Sequence, residues 1–170
     1  GPLASGLSQA VGMALADRID SGVESRRRIY CLMSDGEQES GQIWEAGMLA
    51  GKERLRNLIG IIDRNNIQID GYTEDIMPLE PFVDKWRAWN WHVIEVDGHN
   101  FEELNNAFMQ AETVFEKPTM IVARTIPGKG VKEFERKFEW HGKPPNKEEA
   151  EMALKELRSL GGQISGHHND

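Results

Sequence analysis

The sequence predicts a doubly wound α/β fold, a mostly parallel sheet with helices on both faces. Three observations lead there. Short apolar runs alternate with segments of helical spacing in the order α-β-α-β-α-β-α-β-α. The run Leu58 to Asp63 is apolar without alternation, as a parallel strand covered on both faces requires. The length, 170 residues, suits one domain with a real core.

The elements follow in order. Leu7 to Ile19 is rich in Ala, Leu and Met with helical spacing; Ser8 is the expected cap and Gly22 the expected stop. Arg28 to Met33 reads as a buried strand. Gln42 to Arg54 reads as a helix with Ile43, Ala46, Leu49 and Ala50 on one side. After the second strand, Leu58 to Asp63, comes a polar loop with Asp70-Gly71-Tyr72 as its turn signal. Pro81 to Trp89 is a helix and His92 to Val96 a third strand. Asn100 is placed to cap a helix from Phe101 to Phe115. Thr119 to Ala123 is the fourth strand, a Gly- and Pro-containing loop runs from Thr125 to Lys143, and Lys147 to Leu160 is an amphipathic helix. Residues 1–160 thus form one domain, and the Gly- and His-rich residues 161–170 read as a flexible tail. The chain begins Gly1-Pro2-Leu3 without a Met, as a truncated or partly ordered chain, or one with a tag scar, would.

Composition narrows the function. Apolar residues make up 39% and charged residues 28%, a soluble globular balance. The net charge of −8 argues against nucleic acid and anionic membrane as partners, because phosphate backbones are met by basic patches. No apolar run approaches the roughly 20 residues that span a bilayer. The single Cys31 has no partner within the chain, which fits a reducing, cytoplasmic setting.

Chemistry concentrates where strands should end. Asp35 follows the first strand in Ser34-Asp35-Gly36-Glu37, and Asn65 follows the second in Asn65-Asn66. In an open α/β sheet that edge is where ligands bind. A carboxylate and a neutral amide oxygen, completed by phosphate oxygens, suit Mg²⁺. Gly36 permits close backbone approach, and the amides of Gly36 and Glu37 can donate to a phosphate. Asp-Gly and Asn-Asn also serve as ordinary turns; the spacing and the two preceding strands favour a metal-bridged phosphate site.

Other phosphate motifs fail. Gly47-Met48-Leu49-Ala50-Gly51-Lys52 is one residue short of a P-loop, lacks the Ser or Thr after Lys, and falls inside a helix. No Gly-x-Gly-x-x-Gly follows a strand, and no Cys/His spacing matches a zinc site. His99 and His141 lie in loops after strands, where a histidine can contact phosphate, move a proton or simply face solvent. His167-His168 falls in the tail.

Taken together, the motifs resemble the transketolase family. The residues that carry the likeness are Gly1-Pro2-Leu3-Ala4-Ser5-Gly6-Leu7, Ser34-Asp35-Gly36 through Asn65-Asn66, Gln42-Ile43-Trp44-Glu45-Ala46, Ile67-Gln68-Ile69-Asp70-Gly71, Val96-Asp97-Gly98-His99-Asn100 and Trp140-His141-Gly142. They match in order from residue 1 to about residue 145. The resemblance implies the diphosphate-binding domain of a thiamine-diphosphate-binding fold. It implies thiamine diphosphate as cofactor, with Mg²⁺ (or Ca²⁺ or Mn²⁺) held by Asp35, Asn65 and the backbone carbonyl of Ile67. By the same likeness Gly36 and Glu37 cradle the diphosphate, and Leu3 and Ile69 touch the cofactor rings. The Gly1 carbonyl meets the aminopyrimidine, and His141 stands near diphosphate and substrate as a catalytic residue.

Two positions depart from the family pattern. Ser34 replaces the first Gly of the cofactor motif. A Glu that many relatives carry at the position of Ser40, where it joins a carboxylate network across the dimer, stands one place earlier as Glu39. The pyrimidine-binding domain, whose Glu activates the cofactor in this family, is not found in these residues, nor are the substrate-contacting histidines that precede the Gly-Pro-Leu segment. The resemblance therefore implies the N-terminal subunit of a split transketolase. Such a subunit would be inactive alone. It would work in a hetero-tetramer with a C-terminal transketolase subunit carrying the pyrimidine-binding domain, moving a two-carbon ketol unit from a ketose phosphate to an aldose phosphate. A deoxyxylulose phosphate synthase-like enzyme and a non-catalytic regulatory subunit that keeps the fold remain as alternatives.

Overall fold

The computed structural model describes residues 3–21 and 27–160 of the chain. The expected stop at Gly22 and the expected tail at 161–170 lie outside the described residues. Among the described residues six strands form: β1 (Ile29–Ser34), β2 (Leu58–Arg64), β3 (Ile67–Gln68), β4 (Gly71–Tyr72), β5 (His92–Asp97) and β6 (Thr119–Arg124). Four of them make one parallel sheet in the order β1-β2-β6-β5. The register sets Ser34 opposite Asp63, Arg64 opposite Arg124, and Asp97 opposite Arg124. The carboxyl ends therefore share one edge, and Asp35, Asn65, Gly98 and Thr125 follow directly from it.

The described residues also form six α-helices: α1 (Ser5–Ser21), α2 (Gly41–Lys52), α3 (Thr73–Ile76), α4 (Phe82–Ala88), α5 (Phe101–Glu112) and α6 (Lys147–Leu160). On α1, Leu7, Ala10, Val11 and Ala14 form a buried stripe at helical spacing. That stripe joins Met33, Ile43, Leu58, Ile62, Phe82, Trp86 and Met120 in the larger core. The opposite face carries a smaller core, in which Ala107 and Ala111 of α5 meet Ile59 and Ile121. Helices on both faces of a parallel sheet bear out the doubly wound expectation. Among the described residues no helix is long and apolar enough to cross a membrane.

The structure corrects several details. Ser8 does not cap α1: the helix starts at Ser5, and the Ser8 hydroxyl accepts a hydrogen bond from Gln42 Nε2 at 3.1 Å. The polar loop after β2 is a small antiparallel hairpin, β3–β4, followed by the single turn α3. Strand β1 is buried on one face only, with Tyr30 and Leu32 exposed on the other, because α5 packs over the β5–β6 side of that face. Asn100 caps α5 as expected, its side chain accepting from the amides of Glu102 and Glu103.

The P-loop-like stretch has a packing explanation. Gly47 and Gly51 sit one turn apart on α2, facing a cluster of tryptophans. A Cβ at Gly51 would lie 1.9 Å from the Trp89 carbonyl, and one at Gly47 would lie 2.8 Å from the Trp86 ring. Trp91 Nε1 donates to the Gly47 carbonyl at 2.9 Å. Trp44 closes the cluster, 4.9 Å from Trp89 and 5.3 Å from Trp86 between ring centroids.

Candidate functional site

Asp35 begins the turn that leaves β1 and is fully buried. Its Oδ2 accepts from the Asn66 amide at 2.6 Å and from Arg64 Nη1 at 3.0 Å. Its Oδ1 is buried without a partner. Burial pushes this carboxyl above the usual range, against the pull of the Asn66 amide, Arg64 and, more weakly, the neighbouring Gly36 amide. A buried, unpaired carboxylate oxygen is costly unless something completes it.

The Asn65–Ile67 loop docks on Asp35 through the Asn66 amide. Asn66 takes φ 67°, a left-handed conformation that Asn tolerates, and its carbonyl accepts from the Thr73 amide. The Asn65 amide group is held at both ends. Its Nδ2 donates to Asp63 Oδ2 at 3.0 Å, and its Oδ1 accepts from the Ile67 amide at 3.0 Å. Asp63 in turn accepts from the Thr125 hydroxyl at the end of β6. Ile67 is buried at the start of β3.

Gly36 opens a 3-10 turn, Gly36–Glu39, and a Cβ there would approach the Gln68 Cβ to 3.1 Å. The turn and the β3–β4 hairpin are thus pressed together. Glu37 anchors the preceding segment: its Oε1 accepts from the Ala4 amide and its Oε2 from the Ser34 amide, both at 2.8 Å. Ser34 completes a local loop of bonds, its hydroxyl accepting from the Glu37 amide.

Two of the cavities on this edge share Ile67 and His141. One, of about 440 Å³, is lined by Leu3, Gly36, Glu39, Ile67, Ile69 and His141 among others. Leu3 and Ile69 are 70% and 71% exposed, so both present apolar surface to whatever fills or covers this cavity. The other, of about 520 Å³, includes Asn65, His99, Thr125, Lys137, His141 and Lys143. His141 reaches the site on a loop pinned to the hairpin. The Tyr72 hydroxyl donates to the Arg136 carbonyl, and Tyr72 and Phe138 stack edge to face at 5.5 Å. Gly1 lies outside the described residues.

Sequence reasoning singled out neither Arg64 nor the Asp63–Thr125 pair; the pairing of β2 with β6 brings Thr125 beside Asp63, and Arg64 meets its partners from the turn after β1 and the α3 region. Glu39 was visible as a displaced glutamate. It lines the 440 Å³ cavity with a buried, unpartnered Oε1, and burial, then Asp35, Asp70 and Glu74, pushes its carboxyl up. His99 has a structural role: its Nε2 accepts from the Ile126 amide at 2.8 Å, which leaves the proton of the neutral ring on Nδ1.

No group of three or more His, Cys, Asp or Glu among the described residues is placed to hold a metal ion. The oxygens this edge offers are of another kind: the Asp35 Oδ1 without a hydrogen-bond partner, the Asn65 Oδ1 that accepts from the Ile67 amide, and the Ile67 backbone carbonyl. That set fits a hard divalent cation whose other positions are filled by ligand oxygens and water.

Comparison with known proteins identifies the family. Residues 1–164 match the family model described as transketolase, thiamine diphosphate binding domain. Over 161 residues the chain is 47% identical to a 6-deoxy-6-sulfo-D-fructose transketolase subunit of Clostridium sp. (strain MSTE9), covering 95% of this chain and 58% of that protein. It is 40% identical over 157 residues to an apulose-4-phosphate transketolase subunit of Phocaeicola vulgatus, covering 92% of this chain and 55% of the relative. The chain thus spans little more than half the length of these two relatives. Among solved structures, transketolase from Campylobacter jejuni superposes with a TM-score of 0.84 at 34% identity, over 93% of this chain and 25% of that one. The chain belongs to the transketolase family, as its thiamine-diphosphate-binding domain.

Proposed function

We propose that this chain binds thiamine diphosphate and Mg²⁺ as one subunit of a two-subunit transketolase that moves a two-carbon ketol unit from a ketose phosphate to an aldose phosphate. The observation that carries the reading is the Oδ1 of buried Asp35, which makes no hydrogen bond of good geometry beside a docked Asn65–Ile67 loop. Asp35, Asn65 and the Ile67 carbonyl would hold the cation. Gly36, Glu37 and His141 would border the diphosphate, and Leu3 and Ile69, with the Gly1 carbonyl, would meet the rings. The cofactor supplies the carbanion chemistry, and the chain's own residues bind it, orient it and exclude water.

The two relatives are named for a sulfo-sugar and a sugar phosphate, and both names describe an anionic sugar. Lys137 and Lys143 line the 520 Å³ cavity and suit such a group. The exposed apolar pair Leu3 and Ile69 supports a partner subunit that closes over the ring end of the cavity, with a hetero-tetramer as the assembly. Buried Cys31 is consistent with a cytoplasmic location.

Calorimetry with thiamine diphosphate, with and without Mg²⁺, tests the reading. The wild-type chain should bind the cofactor in a divalent-dependent way, and Asp35→Ala should weaken that binding by about 100-fold or more while the fold persists. Unchanged affinity in Asp35→Ala removes the ligand assignment. A chain that takes up no cofactor even with its partner subunit present favours a purely structural subunit.

A further inference from the structure

We propose that Arg64 is a positioning residue that makes Asp35 a one-oxygen ligand and so sets the cation preference of the site. The inference rests on Asp35 as a metal ligand. Arg64 ends β2 and is 1% exposed. Its Nη1 donates to Asp35 Oδ2 at 3.0 Å and to Thr73 Oγ1 at 2.9 Å. Its Nη2 donates to Glu74 Oε1 at 3.0 Å and Glu80 Oε1 at 3.1 Å. The Phe82 ring lies 5.2 Å from the guanidinium carbon. The head group is therefore fixed on several sides.

The consequence falls on the two oxygens of Asp35. Oδ2 takes two donors, Arg64 Nη1 and the Asn66 amide, which satisfy it. Oδ1 takes none. A cation that uses both oxygens must compete with a charge-assisted bond in a dry site. One that uses Oδ1 alone loses nothing. Mg²⁺ and Mn²⁺ favour octahedral coordination with single carboxylate oxygens, whereas Ca²⁺ takes six to eight oxygens and often both of one carboxylate. The clamp thus disfavours Ca²⁺ and leaves Mg²⁺ untouched.

A guanidinium beside a cation site would ordinarily repel the cation. Here Glu74 and Glu80 share its charge, so three carboxylates surround one guanidinium and the cluster stays net negative. The planar fork of Arg reaches all four acceptors at once, which the single ammonium of Lys does not.

The test is calorimetric titration of Mg²⁺ and of Ca²⁺ into the chain assembled with its partner subunit, with saturating thiamine diphosphate. Wild type, Arg64→Met, Arg64→Lys and a Glu74→Gln/Glu80→Gln double variant are compared. Losing a nearby positive charge strengthens both cations alike and cancels in their ratio, so the ratio of the two affinities is the readout. Arg64→Met should move it toward Ca²⁺ by about tenfold, and Arg64→Lys and the double variant by about threefold. A ratio that stays at the wild-type value in the folded variants reduces Arg64 to structural support and overturns the proposal. If Arg64→Met does not fold, the other two variants decide in the same way. Failure of the wild type to bind either cation, or retention of both by Asp35→Ala, instead overturns the metal site itself.

Discussion

Two glycine-bearing stretches in this chain carry opposite messages. Gly47–Lys52 has nearly the spacing of a phosphate loop, yet it is the middle of α2, and its glycines make room for Trp86 and Trp89. Ser34-Asp35-Gly36 has the look of a common turn, yet it buries a carboxylate completely and leaves one oxygen unpaired. In the first stretch, removing side chains lets apolar bulk pack. In the second, removing one lets two polar segments meet, Gly36 against Gln68. A glycine pattern acquires meaning from what approaches it. The packing region should therefore govern stability and the polar edge should govern binding, each with little effect on the other.

The sharpest break between the two is Gly51→Ala. Its new methyl would meet a backbone carbonyl at 1.9 Å, which no rotamer change relieves. Unfolding free energy should fall by about 3 kcal/mol, read from the urea midpoint. Cofactor affinity of the fraction still folded should match wild type. Lost binding at full folding would show that the tryptophan cluster reaches the site and would dissolve the distinction.

Cys31 lies between the regions, on β1, with the α1–α2 core around it and Glu37 nearby. Burial first, and the Glu37 charge second, pushes its thiol up to about 11 from a usual 9.0. The thiolate is the reactive form, so at pH 8 the native thiol should react with a disulfide reagent at least about 100-fold more slowly than in the urea-unfolded chain. Because burial leads, Glu37→Gln should recover only a minor part of that reactivity. Large recovery would assign the shift to the polar edge instead.

Legibility in the sequence follows the same division. The parallel sheet, all four of its strands and the Asn100 cap are written in local apolar runs and in one side chain bonding amides two and three residues on. Asp35 and Asn65 are legible as strand-end residues. The β3–β4 hairpin is not, because two-residue strands leave too short a pattern to register against a polar loop. Ser8 misled as a cap because a serine in the first turns of a helix looks the same whether it caps or, as here, accepts from Gln42. Arg64 is hidden for a different reason. Its partners Asp35, Thr73, Glu74 and Glu80 come from three segments, and a lone Arg ending an apolar run carries no sign of burial.

The smallest effect expected comes from the far end of the polar network. Asp63 is not itself a proposed ligand; it holds the Asn65 amide through Oδ2 and the Thr125 hydroxyl through Oδ1. Asp63→Ala frees the Asn65 side chain to rotate, so its oxygen is no longer presented in one orientation. Divalent-dependent cofactor affinity should fall about tenfold. Stability should fall by only about 1 kcal/mol, since both orphaned donors lie at a partly buried edge where water can replace the carboxylate. Thr125→Val removes one of the two anchors and should give a fraction of the binding loss. If stability instead drops as far as in Gly51→Ala while binding holds, Asp63 belongs with the packing region, and the border between the two must be drawn beyond β2.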